Sequence, residues 1–117
     1  MTTNQVAEKF YAYMQEGDFN KIYSELFSEK ATSDEPPGSD WTRAVGLAAI
    51  HEKAKKWNEL VEAMHGGTTD KPEVAGSYFS SFMTMDYTPK GGQRTKMEEI
   101  GLYKVENGKI VSEQFFY

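Results

Sequence analysis

Cysteine is absent from this 117-residue chain. Its absence removes disulfides, thiol catalysis and cysteine-held zinc or iron–sulfur sites. Basic residues are scarce: 13 Lys and Arg stand against 18 Asp and Glu, a formal charge of −5. That balance argues against nonspecific binding to nucleic acid or to an anionic membrane surface. No apolar run approaches the roughly 20 residues that span a bilayer. The opening MTTNQVAEKF has neither the basic nor the apolar region of a signal peptide, so a cytoplasmic protein is expected. No glycine-rich phosphate loop, nucleophile elbow or dinucleotide fingerprint occurs, which disfavours phosphoryl transfer and nicotinamide chemistry. Histidines number two, His51 and His65, without metal-type spacing, and no metal or other cofactor is expected.

Aromatic residues are abundant at 14%. They supply enough large apolar surface for a core despite a mean hydropathy of −0.66. Residues 2–16 read as a helix, with Val6, Phe10, Tyr13 and Met14 on one stripe and a capping-box spacing at Thr2 and Gln5. Gly17 suits the residue past its end, and Asp18 the cap of a second helix carrying Phe19, Ile22, Tyr23, Leu26 and Phe27. Residues 28–41, with four acids and two prolines, read as an exposed loop with one short strand near Ala31. A third helix is expected from Gly46 to about Leu60, with Leu47, Ile50, Ala54, Trp57 and Val61 inward and Lys53, Lys55 and Lys56 solvated.

Beyond Leu60 the period shortens. VEAMHGGTTD holds a short strand and a Gly–Gly turn; EVAGSYFSSFMTMDYT, RTKMEEIGLYKVE and KIVSEQFFY read as strands, the last two joined by an Asn–Gly hairpin. No linker or repeat divides the chain, so one domain over 1–117 is expected. Helices followed by a meander imply an α+β fold with helices on one sheet face. A 16-residue strand would extend roughly 53 Å, too long to lie flat in a domain of this size. The sheet should therefore curl, with bulges near Gly76 or Gly101, and enclose a concave pocket.

The tail MEEIGLYKVENGKIVSEQFFY (97–117) resembles the closing hairpin of the SnoaL-like polyketide cyclase family in the nuclear transport factor 2-like superfamily. GLAAI with Trp57 is similar to that family's third helix, and MDYT (85–88) to the end of its long strand. The resemblance covers essentially the whole chain. It implies a cone-shaped domain with three N-terminal helices on a strongly curved antiparallel sheet, a dimer formed through the sheet, and a pocket used by isomerases, cyclases and noncatalytic members alike. The isomerases place an acid on a core strand to take a proton next to a carbonyl, with ketosteroid isomerase as the reference case. By the resemblance, that position falls near Gly101, and Glu99 or Glu113 would have to substitute.

Which residues look inward depends on hairpin register. A two-residue turn pairs Val105 with Ile110; a type I turn with a glycine bulge pairs Val105 with Lys109. The second is preferred, because Gly108 then supplies the left-handed residue. One face carries Met97, Glu99, Gly101, Tyr103 and Val105 beside Val111, Glu113, Phe115 and Tyr117. The other carries Ile100, Leu102, Ile110 and Phe116, the candidate interface of a homodimer. On the long strand Phe79, Ser81, Met83, Met85 and Tyr87 are placed inward.

The catalytic candidates are Glu99, Glu113 and His65. In that register the two glutamates are diagonal neighbours, and burial together with mutual repulsion would raise one carboxyl pKa towards neutrality. His65 could then hold or share the proton. Tyr103 and Tyr117 are candidate donors to a ligand oxygen, Phe115, Met83 and Met85 candidate apolar lining, and Trp41 a lid over the mouth. Three readings stand: an enzyme moving a proton next to the carbonyl of a small, mostly apolar molecule; a noncatalytic ligand-binding module; and an interaction dimer with a filled centre. The first predicts a closed pocket of a few hundred cubic ångströms and a glutamate titrating near neutrality.

Overall fold

The structure, a computed structural model, describes residues 1–117. Helix α1 (Thr3–Glu16) starts at a reciprocal cap: Thr2 Oγ1 accepts from the Gln5 amide at 3.2 Å, and Gln5 Oε1 accepts from the Thr2 amide at 2.9 Å. Gly17, at φ 71°, ends it. Asp18 caps the next helix by accepting from the Lys21 amide at 3.1 Å. That helix opens as a single α turn, α2 (Phe19–Lys21), and widens into a π-helical segment over Ile22–Leu26. Ile22 and Leu26 are buried, whereas Phe19 is exposed. The third helix, α3 (Leu47–Leu60), begins one residue later than expected, after Gly46.

Seven strands follow the helices or alternate with them: β1 (Phe27–Asp34), β2 (Ala44–Val45), β3 (Val61–Thr69), β4 (Glu73–Ala75), β5 (Tyr78–Pro89), β6 (Thr95–Glu106) and β7 (Lys109–Phe116). They form one sheet in the order β2-β1-β7-β6-β5-β3, with β4 also paired to β5. The sheet is mixed, because β1 runs parallel to β7. The expected all-antiparallel sheet is corrected at this pair. Its cause is β1 itself: the stretch expected to be loop contains an eight-residue strand, in which Phe27, Ala31 and Ser33 are buried.

The sheet curls, but not at the glycines expected to bend it. The β5–β6 ladder runs through Gly101 without a break, and Gly76, at φ 60°, turns the chain between β4 and β5. The irregularities lie in β1, between Phe27 and Thr32, in β3, between Val61 and Ala63 and between Met64 and Gly66, and in β7. Gly66 and Gly67 continue β3 instead of ending it. A Cβ on Gly67 would lie 2.8 Å from the Thr84 carbonyl oxygen, so only glycine fits there.

The Asn–Gly hairpin takes the two-residue form. Asn107 (φ 52°) and Gly108 (φ 75°) are both left-handed, and Val105 pairs with Ile110. A bulge at Val111 then brings Lys104 opposite Ser112 and Tyr103 opposite Glu113. The bulge restores the face alternation of the other register but slides Glu113 along β6. Glu113 and Glu99 share the concave face without being diagonal neighbours. The same turn buries Ile110 completely in the core, which removes it from the expected outer interface. The long-strand face set is as expected, with Phe79, Ser81 and Met83 buried.

Where α1 crosses the concave face, Phe10, Phe79 and Tyr103 form an aromatic cluster. Phe79 and Tyr103 stack at 4.9 Å with planes 10° apart, and Phe10 tilts onto them at 5.3 and 4.8 Å. Gly101 makes this packing possible. A Cβ there would lie 2.8 Å from Tyr103 Cε2, 3.0 Å from its hydroxyl and 3.1 Å from Met83 Cε. Gly101→Ala is therefore expected to force Tyr103 out of the stack and cost about 1–3 kcal/mol, as overpacked cores do. Thermal unfolding checks it, and an unchanged melting temperature with unchanged Tyr103 ring resonances would contradict it.

Candidate active site

Between the helices and the concave face lies a cavity of about 1010 Å³. It is larger than expected and open at one side, where Phe19 and Met64 are both half-exposed on its rim. Strand alternation and helical period decide what enters it. On β6 the odd positions Met97, Glu99 and Tyr103 line it, and on β7 so do Glu113 and Phe115, followed by Tyr117. Met83 and Met85 reach it from β5, and Trp41 from the β1–β2 connection, where its amide donates to Ser39 Oγ at 3.1 Å. Trp57 enters from α3, packed edge-on to Tyr87 at 5.2 Å.

Glu113 is only 5% exposed. Its neighbour across the parallel β1–β7 pair is Ser33, fully buried, whose hydroxyl hydrogen-bonds its carboxylate. Behind Ser33 stands Lys53. Its ammonium donates to Ser33 Oγ at 2.6 Å, pairs with Glu35 Oε1 at 3.5 Å and lies 5.6 Å from the Phe115 ring centre. The Lys53 and Glu35 side chains are each 13% exposed, so Lys53 is no solvated lysine as expected. The other Glu35 oxygen, Oε2, is buried with no hydrogen-bond partner.

Three carboxyls thus surround one ammonium in a poorly hydrated space, and two of them hold their protons unusually well. Burial pushes the Glu99 carboxyl up to about 7, with the Glu35 charge adding to the effect and Lys53 opposing it. Glu113 is likewise raised to about 7 by burial, against the Ser33 hydrogen bond and Lys53, with Glu35 and Glu99 reinforcing the rise. Burial and the neighbouring Glu113 charge also raise the Tyr103 phenol well above its usual range, which keeps it a proton donor. Tyr23, in the π-helical segment, is raised for the same reasons and lies edge-on to His51 at 4.9 Å.

His65 stands apart from this group. It sits at the β3 bulge, exposed and outside the cavity lining, with Nε2 2.7 Å from Thr88 Oγ1. Its neighbour Met64 takes the cavity side of β3, so strand alternation turns His65 away, and the expected meeting of His65 with the glutamates does not occur. The ion pair of the cavity wall, Glu35 and Lys53, had no place among the sequence candidates. Both carried a signal. Lys53 is three residues after Ile50 and four before Trp57, which is the inner helical period, and Glu35 continues the alternation of Ala31 and Ser33.

The SnoaL-like domain family matches residues 1–117. A Mesorhizobium loti protein described as a SnoaL-like polyketide cyclase (carbohydrate phosphatase) is 34% identical, over 100% of both chains, with a TM-score of 0.93. This chain belongs to the SnoaL-like family. An NTF2-like protein of Burkholderia pseudomallei (16% identity, 100% of this chain and 92% of that one, TM-score 0.80) shares the fold. So does a cystatin-like protein of Xanthomonas campestris (19% identity, 99% and 90%, TM-score 0.81). Both of these neighbours are of unknown function. No curated protein matches the sequence. No helix is long and apolar enough to cross a membrane.

The raised carboxyls make stability depend on pH in a defined sense. A carboxyl that titrates at about 7 when folded and 4.5 when unfolded stabilises the fold fully below the unfolded value. That contribution is lost as pH rises from the lower value to the higher, at about 1.4 kcal/mol per pH unit. Urea unfolding is therefore expected to show higher stability at pH 5 than at pH 8. Glu113→Gln should flatten the difference by raising stability at pH 8; a wild-type profile without this slope would refute the assignment.

Proposed function

We propose that this SnoaL-like domain binds a small, mostly apolar molecule in the cavity and moves a proton next to its carbonyl group. The observation that carries the reading is Glu113, a buried carboxyl on the cavity wall opposite the phenol of Tyr103 in the strand register. A base titrating near 7 combines a usable ionised fraction with enough basicity at neutral pH. Glu113 would take the proton from the carbon beside the carbonyl. The electron pair of that C–H bond moves into an enolate, and Tyr103 donates a hydrogen bond to the enolate oxygen. Return of the proton from Glu113 to another carbon completes an isomerisation; attack of the enolate carbon on a second carbonyl in the same molecule, whose C=O π bond opens and whose oxygen takes the proton back from Glu113, gives an aldol cyclisation.

Glu99 is a second acid on the same wall and can exchange protons with bulk water through the cavity. Lys53 and Ser33 position the Glu113 carboxylate. Met83, Met85, Phe115, Tyr117 and Trp41 form the apolar and aromatic surface on which a hydrophobic ligand rests. A volume of this size supports the two ligand-binding readings over a filled centre.

The test uses 2-tetralone, a ketone with acidic α-hydrogens, in D2O. Deuterium uptake is expected to exceed that in buffer alone, and to rise with pH through a midpoint near 7 as the base ionises. Glu113→Gln should slow it about 10²–10⁴-fold. Uptake at the buffer rate, or uptake unaffected by Glu113→Gln and Glu99→Gln, would leave the noncatalytic binding reading in its place.

The partner proposed for the convex face is a second copy of the chain. Phe82, Ile100 and Phe116 pair laterally across β5, β6 and β7, all exposed, with Leu102 in the adjoining row. The helices cover only the concave face. A two-fold rotation about Ile100 lays this phenylalanine–isoleucine–phenylalanine row on its own image, as an isologous interface requires. Sedimentation velocity is expected to give a dimer for the wild type and a monomer for Ile100→Lys; a monomeric wild type would refute it.

A further inference from the structure

We infer that the ligand of this cavity carries a protonated amine, held by Glu35. The deep part of the cavity sets three carboxyls, Glu35, Glu99 and Glu113, against one ammonium, Lys53. At the rim Lys55 and Glu59 are both exposed and offset each other. Lys53 is already engaged by Ser33 and by Glu35 Oε1. The remaining Glu35 oxygen is buried without a donor, and a buried carboxylate oxygen left so is costly.

A second, independent group points into the same space. Tyr103 is 3% exposed and lines the cavity. Beside this phenol in the lining, the free Glu35 oxygen, with the Tyr117 phenol near it, is an acceptor open to a bound donor. An ammonium answers the acceptor with a charge-assisted hydrogen bond and neutralises part of the carboxyl excess. The aromatic rings of Trp41, Trp57 and Tyr117 add faces to which a cation is attracted. An anionic ligand would meet the carboxyls instead, in a space where like charges are weakly screened. The inference rests on the cavity being the ligand site of the proposed function, and it does not require the proton transfer.

Isothermal titration of the wild-type protein at pH 7 with three matched probes tests it: 2-phenylethylamine, 2-phenylethanol and 3-phenylpropanoate. The amine is expected to bind at least about tenfold more tightly than the alcohol, with the carboxylate weakest. Glu35→Gln should bring the amine down to the level of the alcohol. The probe series on the unmodified protein decides the matter even if that variant does not fold. Equal binding of amine and alcohol, tighter binding of the carboxylate, or no binding of the amine at millimolar concentration would each overturn the assignment. Persistence of deuterium exchange into 2-tetralone under any of those outcomes would leave the proposed proton transfer standing, so the two failures are distinguishable.

Discussion

Burying carboxyl groups beside a single ammonium is the constraint around which the concave side of this protein is arranged. Each carboxyl loses hydration on entering the cavity, and one Lys53 cannot compensate three of them. The molecule answers in two ways. Ser33 and Lys53 support Glu113 by hydrogen bonding and charge, and Glu99 and Glu113 retain protons up to about pH 7. The same imbalance that lowers stability at alkaline pH gives the cavity groups able to exchange a proton near neutrality. The proposed chemistry and the expected loss of stability therefore have one physical source.

The scaffold makes this arrangement rigid through backbone pairing. Glu113 is fixed by β7, which is held on both sides, by β1 and by β6. Ser33 is aligned with it by the parallel register of β1, and Tyr103 by the antiparallel register of β6. Lys53 is the exception, since it reaches in from α3. Its position depends on helix packing, where Ile50 is fully buried.

Much of this was legible in the residues. The helical stripes, the caps at Thr2 and Asp18 and the strand alternation gave the α+β architecture, and the hairpin resemblance gave the family. Strand parity placed Glu99, Glu113, Tyr103, Phe115, Met83 and Met85 on the concave face. What escaped depended on nonlocal pairing. The strand containing Ala31 and Ser33 has a loop-like composition, and it is β7, some eighty residues later, that draws it into the sheet. The bulge at Val111 moved Glu113 relative to Glu99 while preserving its face, an outcome that alternation alone does not reveal. Lys53 was misread because charge was weighed above helical period, and His65 because its neighbour Met64 takes the cavity side of β3.

The parallel union of β1 with β7 has a kinetic corollary. A ribosome releases residues 27–34 long before residues 109–116, so the early segment has only the two-residue β2 to pair with until β7 emerges. High sequence separation of this kind slows folding. The acid proposed for the chemistry lies on β7, and a nascent or truncated product lacking that strand would have neither Glu113 nor the wall that holds it.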